Sequence, residues 1–589
     1  MARTRYANPT QETRYRDMPG AALRAVLREG YGLGQLRGDI LAGLIVGVVA
    51  LPLAMALAIA VGAPPQHGLY TAIVAGALIA VLGGSRVQVS GPTAAFVVIL
   101  APIHARFGLG GLLVSGALAG AMLVAMGLMR LGRLIQFVPH PVTTGFTAGI
   151  ATVIAGLQLK DLLGLAPTRT PDQFFERMGA LWEARSTASG WELLVGALTL
   201  ALLVAIPKLT RRIPGPLVAL PVAAGIAYLL GRLVPGLHVN TIATRFHYEA
   251  AGVVMPGIPR LPPSPILPWR TLAAPFDLAM LRALMPGAFA IAMLGAIESL
   301  LSAVVADGMA RTRHDPDAEL VAQGVGNLVA PFFGGIPATG AIARTATNVR
   351  NGGRSPVAAL VHSATVLVAV LAAAPLLGWL PMAGLAALLV LVAYNMSEVK
   401  HFVHTLRVAP RSDVAVLLTC FGLTVSFDMV IGVSVGMVLA ALLFMKRMAE
   451  VTQARAFEGT HPALPPIPAG VIVYDVSGPL FFGAAERAMS ALGQIGDRAR
   501  AVVLRLDDVH AIDATGLVAL ESALDRLAVH HVIAVLSGLH DQPRKALDRA
   551  GVPQRPGVVL ADDVPTALAL AATASAEWRG PPEAHAAAR

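Results

Sequence analysis

Apolar runs alternate with short polar connections from about residue 39 to about residue 446. A run of about 20 apolar residues can cross the ~30 Å hydrocarbon core of a bilayer as a helix. Seven runs precede a long polar connection at about 235–282, and seven follow it. The pattern predicts a polytopic α-helical membrane protein with fourteen transmembrane segments, at residues 39–62, 67–83, 92–104, 109–129, 134–160, 191–207, 216–234, 283–304, 318–333, 338–348, 355–376, 380–400, 412–426 and 429–446.

The amino-acid composition agrees with a chain that lies mostly in a lipid bilayer. It is 55% hydrophobic and 14% charged, with a mean hydropathy of +0.67, whereas a soluble domain carries about 25% charged residues. The net charge is +10, but the basic residues form short clusters between apolar runs, with no patch interleaved with aromatic residues. This distribution argues against a nucleic-acid partner. Cys420 is the only cysteine, which excludes a disulfide framework.

The basic residues also predict the orientation of the chain. They collect in the Arg-rich first 38 residues and in alternate connections, whereas the short connections on the opposite side contain only Arg106. Cytoplasmic loops are enriched in Lys and Arg, and an even number of spans returns the chain to its starting side. We therefore expect a protein of the bacterial cytoplasmic (inner) membrane with both termini in the cytoplasm, and with cytoplasmic connections marked by Arg86, Arg130, Arg133, Lys208, Arg211, Arg212, Arg311, Arg313, Arg350, Arg354, Lys400, Arg407, Arg411, Lys446 and Arg447.

Two segments, 92–104 and 338–348, are too short to span a bilayer, and each begins beside glycine and proline. They occupy matching places in the two halves, which is typical of the central binding site in transporters built from inverted repeats. Because one is entered from the cytoplasm and the other from outside, their N-termini should face each other within the membrane. Unpaired N–H groups at helix N-termini attract anions. The candidate substrate contacts are Thr93, Ala94, Ala95, Thr339, Gly340, Ala341, Ile342 and Arg344.

Glu298 and Arg344 lie inside apolar segments, where a charge is costly unless it is paired or hydrated, and such residues are usually functional. We expect Arg344 to balance the charge of a bound anion. We expect Glu298 to bind the coupled cation or proton, with Ser302, one helical turn later, adding a hydroxyl. A structural Glu298–Arg344 salt bridge is an alternative that is compatible with both roles. For Ser302 a helix–helix contact is an equal alternative, and for Thr93 and Thr339 helix capping is the simpler interpretation.

The sequence contains no pattern typical of an enzyme. Its glycine clusters lack the Lys and Ser/Thr of a phosphate-binding loop, and no nucleophile is paired with a base. His401 and His404, beside Lys400, supply too few ligands for a metal site. The sequence therefore predicts no enzymatic activity, no metal and no cofactor other than a coupling ion.

After Arg447 the composition changes to that of a soluble domain. A Pro-rich stretch at 455–469 is followed by strand-like runs at Val471–Val476, Ala501–Leu506 and Val532–Leu536, alternating with helical stretches near 483–495, 515–529 and 541–551, a pattern typical of a small α/β domain. The predicted organisation is an N-terminal arm at 1–38, a transmembrane domain at 39–450 with repeats at 39–234 and 283–450, a linker at 451–469, an α/β domain at 470–573 and a disordered tail at 574–589.

Several motifs resemble the sulfate-permease (SulP) family of anion transporters. The first predicted helix contains LPLAMA at 51–56, followed by GAPPQHGLY at 62–70, and later segments contain GSR at 84–86, SGPT at 90–93 and GGIP at 334–337. The sequence DATG at 513–516 resembles the signature loop of a STAS domain. The resemblance covers nearly the whole chain. It implies a seven-plus-seven inverted repeat divided into core and gate domains, and a homodimer.

Within that family, residues 334–348 and 296–301 look most like bacterial C4-dicarboxylate transporters. Bicarbonate members have a sodium-binding aspartate at the position of Glu298 and a hydroxyl at that of Ser302, so glutamate favours a proton over sodium here. Ala514 stands where anti-sigma-factor antagonists carry a phosphorylated serine, so that switch cannot operate at this position. The resemblance is compatible with a cytoplasmic protein partner that binds the STAS domain.

The sequence thus predicts a secondary active transporter that imports C4-dicarboxylates such as succinate, fumarate or aspartate together with protons. One alternative is the same scaffold carrying sulfate or bicarbonate, with sodium as a candidate coupling ion. A second alternative is an uncoupled anion channel, and a third is a membrane-tethered regulator that acts through its STAS domain.

Overall fold

The structure is a computed structural model that describes residues 15–133, 138–171, 173–210, 214–234, 238–250, 252–272, 275–427, 429–459, 465–490, 492 and 499–577. The chain divides into two compact units between Met437 and Val438. Among the described residues, ten helices are long and apolar enough to cross a membrane.

The first half of the membrane unit contains a short strand, β1 (Ser90–Gly91), between its third and fourth helices. Gly108 has a φ of 67°, which interrupts the fourth helix and divides it into the two predicted spans 92–104 and 109–129. The helices are α1 (Ala21–Glu29), α2 (Leu33–Val61), α3 (Pro65–Leu82), α4 (Ala94–Leu128), α5 (His140–Leu162), α6 (Phe174–Glu183), α7 (Gly190–Leu209) and α8 (Gly215–Leu233).

A polar connection follows, with the short helix α9 (Ile242–Arg245) and a hairpin of β2 (His247–Ala250) and β3 (Val253–Pro256). The second half of the unit again contains a short strand, β4 (Thr339–Gly340), before a short helix. Its helices are α10 (Leu278–Ala310), α11 (Pro316–Val329), α12 (Ile342–Arg350), α13 (Pro356–Gly378), α14 (Met382–Ser397), α15 (Val399–Val408), α16 (Arg411–Ser426) and α17 (Met429–Val451). The boundary between the two units falls within α17.

Each of the fourteen predicted spans overlaps one of these helices, although residues 134–137 of the fifth span lie outside the described part of the chain and α5 begins at His140. Helix α12 has 9 residues, or ~14 Å at 1.5 Å per residue, less than half of a bilayer core. The predicted span 380–400 ends earlier than expected, because Glu398 takes a left-handed φ of 43° and the amphipathic helix α15 follows.

The membrane helices pack in two groups. Helices α2, α3, α4, α10, α11, α12 and α13 contact one another and form what we call the core group. Helices α5, α7, α8, α14 and α16 form the gate group. Glycines allow close approach within the core group: a methyl group at Gly120 of α4 would lie 2.4 Å from the backbone N of Leu328 on α11.

The second unit is an α/β domain with a five-stranded sheet in the order β5 (Gln453–Phe457), β6 (Val471–Ser477), β7 (Ala501–Asp508), β8 (Ile533–Ser537) and β9 (Val558–Ala561). Strand β5 pairs antiparallel with β6, and the other pairs are parallel. Alternate residues of β6 belong to two apolar layers, one on each face of the sheet. Its helices are α18 (Phe482–Ser490), α19 (Ala514–Val529), α20 (Asp541–Arg549) and α21 (Val564–Glu577).

The boundaries of this unit differ from the sequence-based prediction in two places. The predicted linker at 451–469 is partly ordered, because its residues 453–457 form the edge strand β5. Helix α21 continues past residue 573, so the start of the predicted disordered tail at 574–589 is helical, and residues 578–589 lie outside the described part of the chain. Residues 1–14 of the predicted N-terminal arm and 460–464 of the linker also lie outside it.

Candidate functional site

The two short strands bring the starts of α4 and α12 together. Strands β1 and β4 pair antiparallel, with Ser90 opposite Gly340 and Gly91 opposite Thr339. The backbone N–H of Ala341 donates to the carbonyl of Val89 at 3.0 Å, which extends the pairing. The two broken segments therefore approach each other as antiparallel extended chains, which agrees with the prediction that they enter from opposite sides and that their helix N-termini lie near each other.

One face of α11 holds the approach to α4. Both oxygens of the Glu319 carboxylate are used: Oε2 accepts from the backbone N–H groups of Gly84 and Ser85 at 3.0 and 3.1 Å. Oε1 accepts from the side-chain amides of Gln88 at 2.9 Å and Gln323 at 3.1 Å. Glu319 is 1% exposed. Four N–H donors stabilise this buried charge, which otherwise would be costly to keep in the core group.

The next two polar residues on that face contact the extended segment before each broken helix, Gln323 across the two repeats and Asn327 within the second repeat. The side-chain amide of Gln323 also donates to Oγ of Ser90 in β1, at 2.9 Å. Asn327, one turn later, makes two hydrogen bonds of 2.7 Å with the backbone of Ala338, one to its N–H and one to its carbonyl. The spacing of four residues places all three side chains on one helical face.

Helix α3 makes the reciprocal contacts with the approach to α12. Nδ1 of His67 lies 2.6 Å from the carbonyl of Gly334. The hydroxyl of Thr71 donates to the carbonyl of Ile336 at 2.9 Å. Each half thus supplies side chains that hold the unwound segment of the other half.

Neither broken helix has a side-chain cap at its N-terminus. Thr93 instead donates its hydroxyl to Oε2 of Glu298 at 2.9 Å. Thr339 donates to the carbonyl of Gly295 at 3.1 Å. The capping interpretation of these two threonines is therefore wrong. The first N–H groups of α4 and α12 are left available for another acceptor.

Arg344 lies between the two helix starts, although it belongs to only one of them. It is 3% exposed, and its Nη2 donates to the carbonyl of Pro92 at the entry to α4. A methyl group at Gly91 would lie 2.5 Å from its Nη1, so this close approach requires glycine. Its Nε and Nη1 have no hydrogen-bond partner among the described residues. Two donor nitrogens of a buried cation thus remain free beside two uncapped helix N-termini.

Glu298 and Arg344 do not form an ion pair. Glu298 is half-buried and interacts electrostatically with Arg344, but no carboxylate–guanidinium contact within 4.0 Å joins them. Ser302 is fully buried, and its hydroxyl lies 3.5 Å from that of Thr345 on α12. The hydroxyl of Ser302 therefore belongs to a contact between two helices. The carboxylate of Glu298 instead accepts a hydrogen bond from Thr93, which belongs to the other repeat.

The remaining predicted contacts line the helix starts with small side chains. Ala94 is 7%, Ala95 4% and Ala341 7% exposed, whereas Ile342 is 36% exposed. Gly340 is buried, and a methyl group there would lie 2.1 Å from Nε2 of Gln88. Because these side chains are small, none of them covers the backbone N–H groups at the helix starts with a bulky apolar group.

Sequence reasoning missed several buried polar residues in or beside the core-group helices, among them Gln88, Glu319, Gln323, Asn327 and His362. The spacing of four between the three residues of α11 was a usable signal, because such a polar face within an apolar helix needs partners. His362 could also have been found, because an ionisable side chain within the apolar run of α13 is unusual. It was overlooked because a neutral imidazole does not count among the charged residues.

Similarity to known proteins extends over most of the chain. A model of the sulfate permease family matches residues 36–420, and a STAS domain model matches residues 464–567. The chain is 40% identical over 526 residues to the putative sulfate transporter YvdB of Bacillus subtilis (strain 168), covering 89% of this chain and 95% of that protein. It is 28% identical over 538 residues to the bicarbonate transporter BicA of Picosynechococcus sp., covering 87% and 90% of the two proteins.

The fold is also similar to that of a solved structure. The murine Solute Carrier 26 family member A9 anion transporter, in its inward-facing state, superposes with a TM-score of 0.82 over 97% of each chain, at 18% identity. The bacterial relatives are named as sulfate and bicarbonate transporters. This corrects the expected placement nearest to C4-dicarboxylate transporters and favours the sulfate or bicarbonate alternative.

Proposed function

The chain belongs to the sulfate permease family, and from that premise we propose that it transports sulfate across the bacterial cytoplasmic membrane, with both termini in the cytoplasm. The single observation that carries this proposal is the buried guanidinium of Arg344, with free Nε and Nη1 donors, between the uncapped starts of α4 and α12. An oxyanion placed there accepts from the guanidinium and from backbone N–H groups of both repeats.

The preference for sulfate rests on the relatives and on the number of cationic groups at the site. YvdB, the relative at 40% identity, is named as a putative sulfate transporter. One arginine and two helix starts can surround a compact oxyanion, whereas a C4-dicarboxylate requires a second cationic group for its distant carboxylate. Bicarbonate, carried by the relative BicA, is the second candidate, because a planar oxyanion can accept from the same donors.

Uptake of an anion requires a coupled cation. A negative-inside potential opposes anion entry by about 2.3 kcal/mol per charge per 100 mV. Glu298 is bound to Thr93 at the start of α4, so a proton on its carboxyl group lies next to the anion and offsets part of its charge. A proton is preferred to sodium because Ser302, the expected second ligand, is occupied with Thr345.

A competition panel in proteoliposomes tests the substrate. Purified full-length protein should take up radiolabelled sulfate, and unlabelled sulfate should compete more strongly than bicarbonate, succinate, fumarate or aspartate. Stronger competition by succinate would restore the dicarboxylate interpretation. Currents far above the turnover of a carrier would identify a channel, and partner binding by the STAS domain without any flux would identify a regulator. Cross-linking in the membrane tests the homodimer that we propose for the assembled protein.

A further inference from the structure

His362 is a buried ionisable residue that the mechanism above does not use. It lies in α13 between apolar residues and is 0% exposed. Neither ring nitrogen makes a hydrogen bond of normal geometry among the described residues, although the carbonyl of Ala359 lies nearby in the same helix. A buried polar group without a partner costs about 1–3 kcal/mol. An imidazole kept at such a cost inside a membrane helix points to a function.

The ring of His362 lies near the backbone of β1, the strand whose Gly91 is approached closely by Nη1 of Arg344. A methyl group at Gly76 of α3 would lie 3.3 Å from the carbonyl oxygen of Ser90 and 4.0 Å from Cε1 of His362. The imidazole and the β1 backbone therefore border the same small space. The neighbouring Ser363 fixes this part of α13, since its hydroxyl donates to the carbonyl of Ala72 on α3 at 2.8 Å.

Arg344 is the charged group that acts on His362 electrostatically. Helices α2, α3 and α9 pack against α13, and their titratable side chains are engaged elsewhere or lie at helix ends. Asp39 accepts from Arg354 and Ser355, Nδ1 of His67 contacts Gly334, and Arg245 pairs with Asp161. The titratable and charged groups on the elements around His362 are Arg344 and Glu298 at the site, and Arg37, Asp39, His67, Tyr70 and Arg245 on the packed helices.

We propose that His362 is a second proton-binding residue whose protonation is coupled to anion binding at Arg344, a role that rests on the anion site proposed above. With the site empty, the positive charge of Arg344 disfavours a second cation in the same low-dielectric region. A bound sulfate reverses the sign of the local charge, so a proton on His362 becomes favourable. By linkage, the proton on His362 strengthens sulfate binding by the same factor.

This role changes the charge that the protein moves. Sulfate carries two negative charges, and one proton on Glu298 leaves the loaded site with one uncompensated negative charge. A second proton on His362 balances sulfate fully, whereas bicarbonate needs only one. Two proton sites around one arginine therefore suit a divalent oxyanion, and the membrane potential no longer opposes its entry.

Proton uptake during sulfate binding tests the proposal. Full-length protein in detergent, in weakly buffered solution with a pH indicator, is mixed with sodium sulfate, and the protons taken up per bound sulfate are measured from pH 5 to pH 8. The variant His362→Gln keeps a polar side chain of similar length but cannot become a cation. His404→Gln, at an exposed position of α15, is the matched control. We expect His362→Gln to take up about one proton fewer per sulfate and His404→Gln to match the wild type.

A spectroscopic measurement keeps the test decisive if the variant does not fold. Wild-type protein labelled with ¹⁵N-histidine should show one ring changing from neutral imidazole to imidazolium when sulfate is added at constant pH. Unchanged proton uptake in a folded His362→Gln protein, or no new imidazolium signal in the wild type, overturns the role of His362 while sulfate binding persists. If the wild type binds neither sulfate nor bicarbonate, the proposed function has failed, and this inference fails with it.

Discussion

The two broken helices begin alike, but the two halves of the membrane unit do not supply the same chemistry. Both starts are uncapped, both follow a short strand, and each is held by side chains of the opposite repeat. The charged residues near them, Glu298, Glu319 and Arg344, belong to the second half, as does the buried His362. The first half contributes backbone N–H groups, hydroxyls, small residues, the amide of Gln88 and the imidazole of His67. The backbone thus follows the repeat symmetry, whereas the distribution of charged side chains does not.

Arg344→Ala should produce the largest change, because it removes the one cation between the helix starts. We expect sulfate affinity to fall at least about tenfold, equivalent to ~1.4 kcal/mol, measured by binding of radiolabelled sulfate to purified protein. Arg350→Ala is the matched control, since Arg350 is an exposed arginine at the far end of the same helix. Near-normal affinity of a folded Arg344→Ala protein would return Arg344 to a purely structural role.

Glu298→Gln should separate substrate binding from coupling. The amide can still accept the hydrogen bond from Thr93, but it can neither take up a proton nor offer a charge to sodium. The variant should bind and exchange sulfate while losing most of the accumulation that an inward proton gradient drives in wild-type proteoliposomes. Wild-type uptake should rise as external pH falls and respond little to a sodium gradient. Unchanged gradient-driven accumulation in the variant would exclude Glu298 as a coupling residue.

Glu319→Gln tests whether Glu319, which holds the approach to α4, contributes more to stability than His67, which holds the approach to α12. The NH₂ of the glutamine side chain faces N–H groups that donate to a carboxylate oxygen in the wild type. These buried donors lose their acceptor, and each unpaired donor costs about 1–3 kcal/mol of stability. His67→Phe breaks one hydrogen bond to Gly334, worth about 1 kcal/mol. Thermal unfolding in detergent should therefore show a larger loss of stability for Glu319→Gln. Equal losses of stability would mean that Glu319 and His67 contribute equally.

Removal of the soluble unit should have the smallest effect on the site. Residues 1–450 contain every side chain assigned to anion binding, so this truncated chain should bind sulfate with an affinity close to that of the full chain. We expect transport to weaken if the STAS domain contributes to assembly of the transporter. Complete loss of sulfate binding in a monodisperse truncated protein would show that the site is not confined to the membrane helices.

The sequence was enough to predict the local features and not the contacts between repeats. Span lengths and the glycine–proline starts at Pro92 and Pro337 depend only on neighbouring residues, so the fourteen spans and the opposed helix starts followed from the pattern. The bond from Thr93 to Glu298 joins residues 205 positions apart, and that from Gln88 to Glu319 joins residues 231 apart. No local pattern specifies such pairs, because packing of one repeat on the other determines them.

The incorrect predictions for the linker and for the two threonines have a similar cause. The Pro-rich stretch near residue 460 suggested a linker, but residues 453–457 pair with β6 as an edge strand, which tolerates irregular flanking sequence. Thr93 and Thr339 fit the preference for capping, yet both hydroxyls reach acceptors on α10. Local propensity was outweighed there by a buried tertiary partner.

The most direct test of the account is to locate the anion. Crystals of the full-length protein grown with selenate, an analogue of sulfate whose selenium scatters anomalously, should show a selenium peak between the starts of α4 and α12. The selenate oxygens should lie within hydrogen-bond distance, about 2.7–3.2 Å, of Nη1 or Nε of Arg344 and of backbone N–H groups. An ordered selenate bound elsewhere among the membrane helices, with this space empty, would contradict the account.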